Sequence, residues 1–187
     1  MTTSSSRVRL LVEIALVVAL AAVLNSIKLW RMPQGGTFSL GMLPLFVLAV
    51  RRGPAVGVAA GALYGIVDFF VDPYPPVHWI QFALDYPLAY AGVGLSGLLS
   101  PAVVRARRAG SSSWTAWLLG AVALGAAARY AVHVASGVVF FAEYAQGQPA
   151  LAYSLGYNLY VPLSAAACYA AALAVIPMLP ETEAKTS

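Results

Sequence analysis

The side chains able to do chemistry in this sequence are few, and their spacing is informative. Asp85, Arg129, His133 and Asn158 stand inside long apolar stretches. A carboxylate, a guanidinium, an imidazole and an amide in such surroundings can hold a polar ligand, relay protons or tie helices together. Arg129 and His133 are four residues apart, so a helix would stack them on one face. Asp68 and Asp72 repeat that spacing. Gly94-Leu95-Ser96-Gly97 has the small-residue frame found around the nucleophilic serine of some membrane proteases. The GxxxxGK[ST] phosphate loop is missing and the only lysines are Lys28 and Lys185, so ATP hydrolysis by that route is excluded. The single cysteine, Cys168, excludes an internal disulfide, and no Cys/His spacing points to a metal.

The elements that must position these groups follow from hydropathy. Of 187 residues, 60% are apolar and 10% charged. A soluble domain carries about 25% charged residues. This chain therefore lacks the charge to coat a water-facing surface, and it is too apolar for disorder. An all-α membrane protein of one domain, 1–187, is expected, with six membrane helices over about 8–29, 38–50, 55–71, 79–99, 114–141 and 150–179. The first stretch also resembles a signal peptide, but Glu13 interrupts its apolar run. The second is short for a span, and Pro33-Gln34-Gly35-Gly36 before it marks a loop that could fill the missing depth. Asp72-Pro73-Tyr74-Pro75-Pro76 ends the third.

Six spans put both termini on one side. Arg7, Arg9, Arg51, Arg52, Arg105, Arg107, Arg108 and Lys185 share that side, with Lys28 and Arg31 opposite. The bias places the termini in the cytoplasm and accounts for the basic balance without nucleic acid.

The polar groups then gather in the outer half of the bilayer. Asp85 lies ~9 Å below the outer end of its helix, Asn158 ~12 Å and His133 ~15 Å. Aromatic residues share that layer, among them Trp30, Tyr64, Tyr86, Tyr90, Phe141, Tyr153, Tyr157 and Tyr160. Aromatic walls with a few convergent polar groups suit a small-molecule pocket. Asp68 and Asp72 fall near the water interface, where a solvated role is expected. Ser96 lies ~16 Å deeper than Asp85, beyond reach of His133 or His78. The serine frame is therefore expected to be a packing patch, not a catalytic site. Gly57, Gly61 and Gly65 form a ladder suited to close helix contact.

Several segments in order carry a family resemblance. They are Leu11-Val12-Glu13-Ile14-Ala15, then Arg31-Met32-Pro33-Gln34-Gly35-Gly36, then Leu84-Asp85-Tyr86-Pro87-Leu88-Ala89-Tyr90. Arg129-Tyr130-Ala131-Val132-His133 and Tyr153-Ser154-Leu155-Gly156-Tyr157-Asn158 complete the set. Nearly the whole chain resembles the thiamine-specific substrate-binding subunits (S components) of energy-coupling factor (ECF) transporters. The resemblance implies the S-component fold, a multi-pass protein of the bacterial cell membrane, and thiamine bound near the outer face under the first loop. It implies Asp85, Tyr86, Arg129, His133, Tyr153 and Asn158 as ligand-binding residues. Phe141 would stack on a ligand ring where some members carry Trp, and Trp30 would be the tryptophan of the first loop. Ala15 and Ala19 would form the docking surface for a transmembrane coupling subunit, which works with two ATPase subunits. No cofactor and no catalytic residue are implied. An S component for another vitamin or a thiamine precursor, and a stand-alone proton-coupled carrier using Asp85 and His133, are the alternatives.

Overall fold

A computed structural model of the chain describes residues 3–180. Helix α1 (Thr3–Ser26) leads into a hairpin of two short strands, β1 (Trp30–Arg31) and β2 (Thr37–Phe38). Helices α2 (Leu43–Arg52) and α3 (Pro54–Val71) follow. The next rod runs without interruption from Trp79 to Arg108. It contains α4 (Trp79–Ala83), a π-helical turn (Leu84–Leu88), α5 (Ala89–Val93), a 3₁₀ stretch (Gly94–Leu99) and α6 (Ser100–Arg108). Helix α7 (Trp114–Phe140) returns, and α8 (Ala150–Tyr157) and α9 (Tyr160–Met178) close the fold.

Among the described residues, five helical rods are long and apolar enough to cross a membrane: Ser5–Ser26, Pro54–Val71, Trp79–Arg108, Trp114–Phe140 and Ala150–Met178. The expected segment 38–50 is different. Its helix α2 has 10 residues, ~15 Å by helical rise, and seven of them are buried. It lies inside the bundle against α1, α3 and α9. The fourth rod also passes the expected end at Leu99. Pro101 sits in the first turn of α6, where its missing N–H costs no hydrogen bond, so the rod continues to Arg108. Lys185 lies outside the described residues.

Apolar side chains of α1 face outward: Leu11 is 66% exposed and Leu16 65%. In a protein of this hydropathy that face meets lipid or a partner. Glu13, the charge that interrupts the first apolar run, is paired. Arg52 Nε donates to its Oε2 at 2.7 Å.

The glycine ladder locks the centre. A Cβ on Gly57 would meet the backbone of Gly94, one on Gly61 the carbonyl of Tyr90, and one on Gly65 the carbonyl of Tyr86. Three successive turns of α3 therefore touch the backbone of the Trp79–Arg108 rod. Gly94 and Gly97 of the serine frame sit equally close to Gly57, Gly53 and Pro54. Ser96 is fully buried among them, and its Oγ has no hydrogen-bond partner. The frame packs helices, as its depth suggested. Ser96→Ala is expected to leave ligand binding unchanged and the thermal midpoint the same or slightly higher. An orphan buried hydroxyl stabilises nothing. Loss of ligand binding in that variant, read by calorimetry, would refute this assignment.

Candidate functional site

The site starts from Pro87. Proline supplies no N–H and crowds the carbonyl one turn back, so a regular α-helix cannot run through it. The rod responds by widening into one turn of π-helix, Leu84–Leu88. That turn carries Asp85 and Tyr86. The glycine ladder holds the same stretch tightly on α3, so the carboxylate is aimed from a rigid backbone.

Opposite it, α7 presents Arg129 and His133, both buried. Arg129 Nε donates to His133 Nε2 at 3.2 Å. That nitrogen therefore accepts, and a neutral imidazole carries its proton on Nδ1. His133 Nδ1 faces Asp85 Oδ1 at 3.6 Å. The Arg129 guanidinium lies over the Tyr90 ring, 4.0 Å from its centroid, an attractive cation–π geometry. The i, i+4 spacing read in the sequence thus becomes a direct contact, and Asp85 joins it from another rod.

The floor is Asp68, and here the expectation of a solvated residue fails. Asp68 is only 7% exposed. Its Oδ1 accepts from Asn25 Nδ2 at 2.8 Å and from Tyr64 Oη at 3.0 Å, and its Oδ2 accepts from Tyr90 Oη at 3.0 Å. A carboxylate within the bilayer needs such donors. The placement near the helix end misled because the hairpin and the segment after α3 cover that end. Asp72 keeps more of its water. Its side chain is 20% exposed and pairs with Lys28 at 2.7 Å and Arg31 at 3.3 Å.

Two loops form the roof. Gly35, at φ +93°, turns the first hairpin. A Cβ on Gly36 would clash with the Tyr160 ring, 2.5 Å from its Cε1, so glycine lets the turn lie this close. Tyr157 Oη accepts from the backbone N–H of Gln34 at 3.0 Å and of Gly36 at 3.4 Å. Tyr153 Oη donates to Gln34 Oε1 at 3.3 Å. The second loop is fixed by Tyr86, whose hydroxyl accepts from Tyr74 N at 2.8 Å and donates to Tyr74 O at 3.2 Å. Burial pushes the Tyr74 phenol up to about 12, so it stays a neutral donor at physiological pH. The Phe141 ring lies 5.9 Å from that of Tyr74, tilted by 33°.

Asn158 stands at a break between α8 and α9. Pro162, two residues into α9, cannot donate to the Asn158 carbonyl. Val161 N does so instead, at 3.0 Å, in a tighter turn. The Asn158 amide Nδ2 donates to Ser154 O at 2.9 Å. Its carbonyl oxygen is the end left to meet a ligand.

These residues enclose one cavity of about 750 Å³, its open mouth included. Asp85, Tyr86, Arg129, His133, Phe141, Tyr153 and Asn158 all line it. Trp30 does not. It is 65% exposed, on the outward side of the hairpin. Asn25, Gln34, Thr37, Asp68 and Tyr74 line the cavity without having been singled out as binding residues. Asp68 carried a readable signal, since it lies one helical turn from Tyr64. Gln34 and Tyr74 sit in loops, where no periodicity speaks. The formal charges on the wall are three carboxylates, Asp68, Asp72 and Asp85, against the Arg129 guanidinium. Asp72 is already paired with Lys28 and Arg31, so the carboxylates left to face the cavity are Asp85 and the hydrogen-bonded Asp68.

The chain is similar to several known proteins. The thiamine transporter ThiT of Bacillus subtilis is 38% identical over 155 residues, covering 79% of each chain. The thiamine transporter ThiT of Lacticaseibacillus paracasei is 32% identical over 154 residues, covering 79% of this chain and 76% of its own. The solved structure of ThiT from Listeria monocytogenes superposes with a TM-score of 0.86 at 29% identity, over 94% of this chain and 97% of that one. The description "Thiamine transporter protein" fits residues 11–186. Since that match takes in the hairpin, the π-turn and every wall of the cavity, the chain belongs to the thiamine transporter protein family.

Proposed function

We propose that the cavity binds thiamine and that the chain is the substrate-binding S component of an ECF vitamin uptake transporter in the bacterial cell membrane. Membership of the family makes the chain a transport protein, not an enzyme. The observation that carries the ligand is the wall itself: Asp85 and Asp68 set among tyrosine and phenylalanine rings around one cavity.

Thiamine has a permanently charged thiazolium and a flat aminopyrimidine. Asp85 offsets the thiazolium charge, and aromatic faces add ~0.5–2 kcal/mol each. Phe141 and Tyr74 form one stacking wall. The Asn158 carbonyl accepts from the amino group of the pyrimidine, and the Tyr153 hydroxyl adds a polar edge. The positive charge of Arg129 is offset by the Tyr90 ring beneath it, whose hydroxyl is held by the Asp68 carboxylate. The decisive measurement is mass spectrometry of the small molecule that co-purifies with the protein, with calorimetry to follow. Thiamine is the expected result. Another vitamin, a precursor bound more tightly, or no affinity for thiamine would reject the reading.

The topology completes the proposal. Six membrane segments, with α2 as the short one, put both termini in the cytoplasm. The basic ends of α2 and α6 fit that side. Ala15 and Ala19 stand exposed on α1 between large apolar residues, and small residues there let another helix approach closely. They are the docking surface for the transmembrane coupling subunit, whose two ATPase partners supply the energy. Ala15→Trp is expected to abolish co-purification with that module and leave thiamine affinity within about twofold. Recovery of the intact transporter with the variant would disprove the assignment.

A further inference from the structure

The hairpin and the pocket floor share one side chain, Asn25, at the end of α1. Asn25 is 5% exposed. Its Oδ1 accepts from Thr37 Oγ1 at 3.2 Å and from Ser39 Oγ at 2.5 Å. Its Nδ2 donates to Asp68 Oδ1. Both ends of the amide are thus engaged in opposite senses, with hydroxyls on one side and a carboxylate on the other. From Asp68 the contacts continue through the Tyr90 hydroxyl, the Arg129 guanidinium and His133 to Asp85. No other side chain described above touches the strand of the hairpin and the floor of the cavity at once.

We propose that Asn25 and Asp68 are a positioning pair that latches the first hairpin to the pocket floor and sets how long the ligand stays bound. The proposal rests on the reading of the cavity as a thiamine site. Neither residue needs to touch the ligand. The latch works because an amide can accept from the loop and donate to the floor simultaneously, which neither a carboxylate nor a hydrocarbon can do. A carboxylate at position 25 still serves Thr37 and Ser39, but it meets the Asp68 carboxylate at hydrogen-bond distance with no donor between them. Reversing the pair, Asn25→Asp together with Asp68→Asn, restores the match. The carboxylate then sits at position 25 and accepts from both hydroxyls and from the amide now at position 68. The oxygen of that amide remains for Tyr90, and Tyr64, which shares Oδ1 with Asn25, turns its hydroxyl to accept from the new amide.

The test uses the full-length protein in detergent at pH 8. Hydrogen exchange over residues 29–40 is followed without ligand, and the thiamine off-rate is followed by displacement. Asn25→Asp is expected to speed exchange in that segment and the off-rate at least tenfold, with α5 and α7 unchanged. Adding Asp68→Asn is expected to recover at least threefold of each. An unaltered hairpin in Asn25→Asp, exchange raised equally throughout the bundle, or no recovery in the double variant would overturn the pair. Should Asn25→Asp fail to fold, Thr37→Val/Ser39→Ala reads the same latch from the loop side. It is expected to accelerate hairpin exchange about fivefold, and an unaltered rate there overturns the proposal. A wild-type protein that does not bind thiamine would instead sink the ligand assignment, since the exchange measurement needs no ligand.

Discussion

Asp85→Asn weakens thiamine binding at least tenfold and leaves the fold in place. The substitution keeps the size and shape of the side chain, and the π-turn that aims it is set by Pro87. His133 Nδ1–H retains an oxygen to face at position 85. What disappears is the negative charge proposed to face the thiazolium. Two unit charges ~4 Å apart interact by ~4 kcal/mol at an effective dielectric of 20. Removing one member of a buried charged contact costs about 2–5 kcal/mol, and each 1.4 kcal/mol is tenfold in affinity. Titration calorimetry at fixed pH checks the value. A ligand of the same shape without the thiazolium charge supplies the control, because its affinity should barely respond. An unchanged dissociation constant for thiamine would remove Asp85 from the site.

Gly61→Val has the larger effect on the protein itself. The new Cβ falls on the carbonyl of Tyr90, and that obstacle is backbone, which cannot swing aside. Helix α3 must back away from α5. Overpacking costs about 1–3 kcal/mol in ordinary cores, and a backbone obstacle belongs at the top of that range. For a chain of this size, ~3 kcal/mol corresponds to roughly 6–12 °C in thermal midpoint. Tyr90 is also the residue that bonds Asp68 and lies under Arg129, so thiamine affinity falls with stability. Gly61→Ala should show the same direction with a smaller size. Thermal unfolding in detergent, with and without thiamine, measures both. A valine variant with the midpoint and affinity of the parent would mean that α3 and α5 are not in contact here.

Much of this was legible because a membrane simplifies the reading of a sequence. Polar side chains in apolar runs must have partners, so the positions of Asp85, Arg129, His133 and Asn158 along the sequence already point to one layer. The glycine spacing of α3 gave its packing face for the same reason. Helix α2 shows where this logic ends. Hydropathy does not tell a full-length segment from a short one enclosed by its neighbours, because both exclude water. Asp68 shows a second limit. Its sequence position lies near a helix end, and its burial depends on what covers that end. The covering pieces are the hairpin and the Tyr74 loop, whose conformations follow from Gly35, Gly36 and the tyrosine hydroxyls that hold them. Trp30 marks the same gap from the other side. A two-residue strand gives no periodicity from which to tell inward from outward.

The π-turn also bears on how such a protein can change over generations. A π-turn holds one residue more than an α-turn, so a single inserted codon can create it and a single deletion can erase it. Everything on its outer side then rotates relative to everything on its inner side. The inner side is clamped by Gly57, Gly61 and Gly94 and tolerates little. The outer side ends in loops that tolerate much. The rod is thereby divided into a fixed shaft and a separately turned head, with the cavity residues Asp85 and Tyr86 at the joint between them.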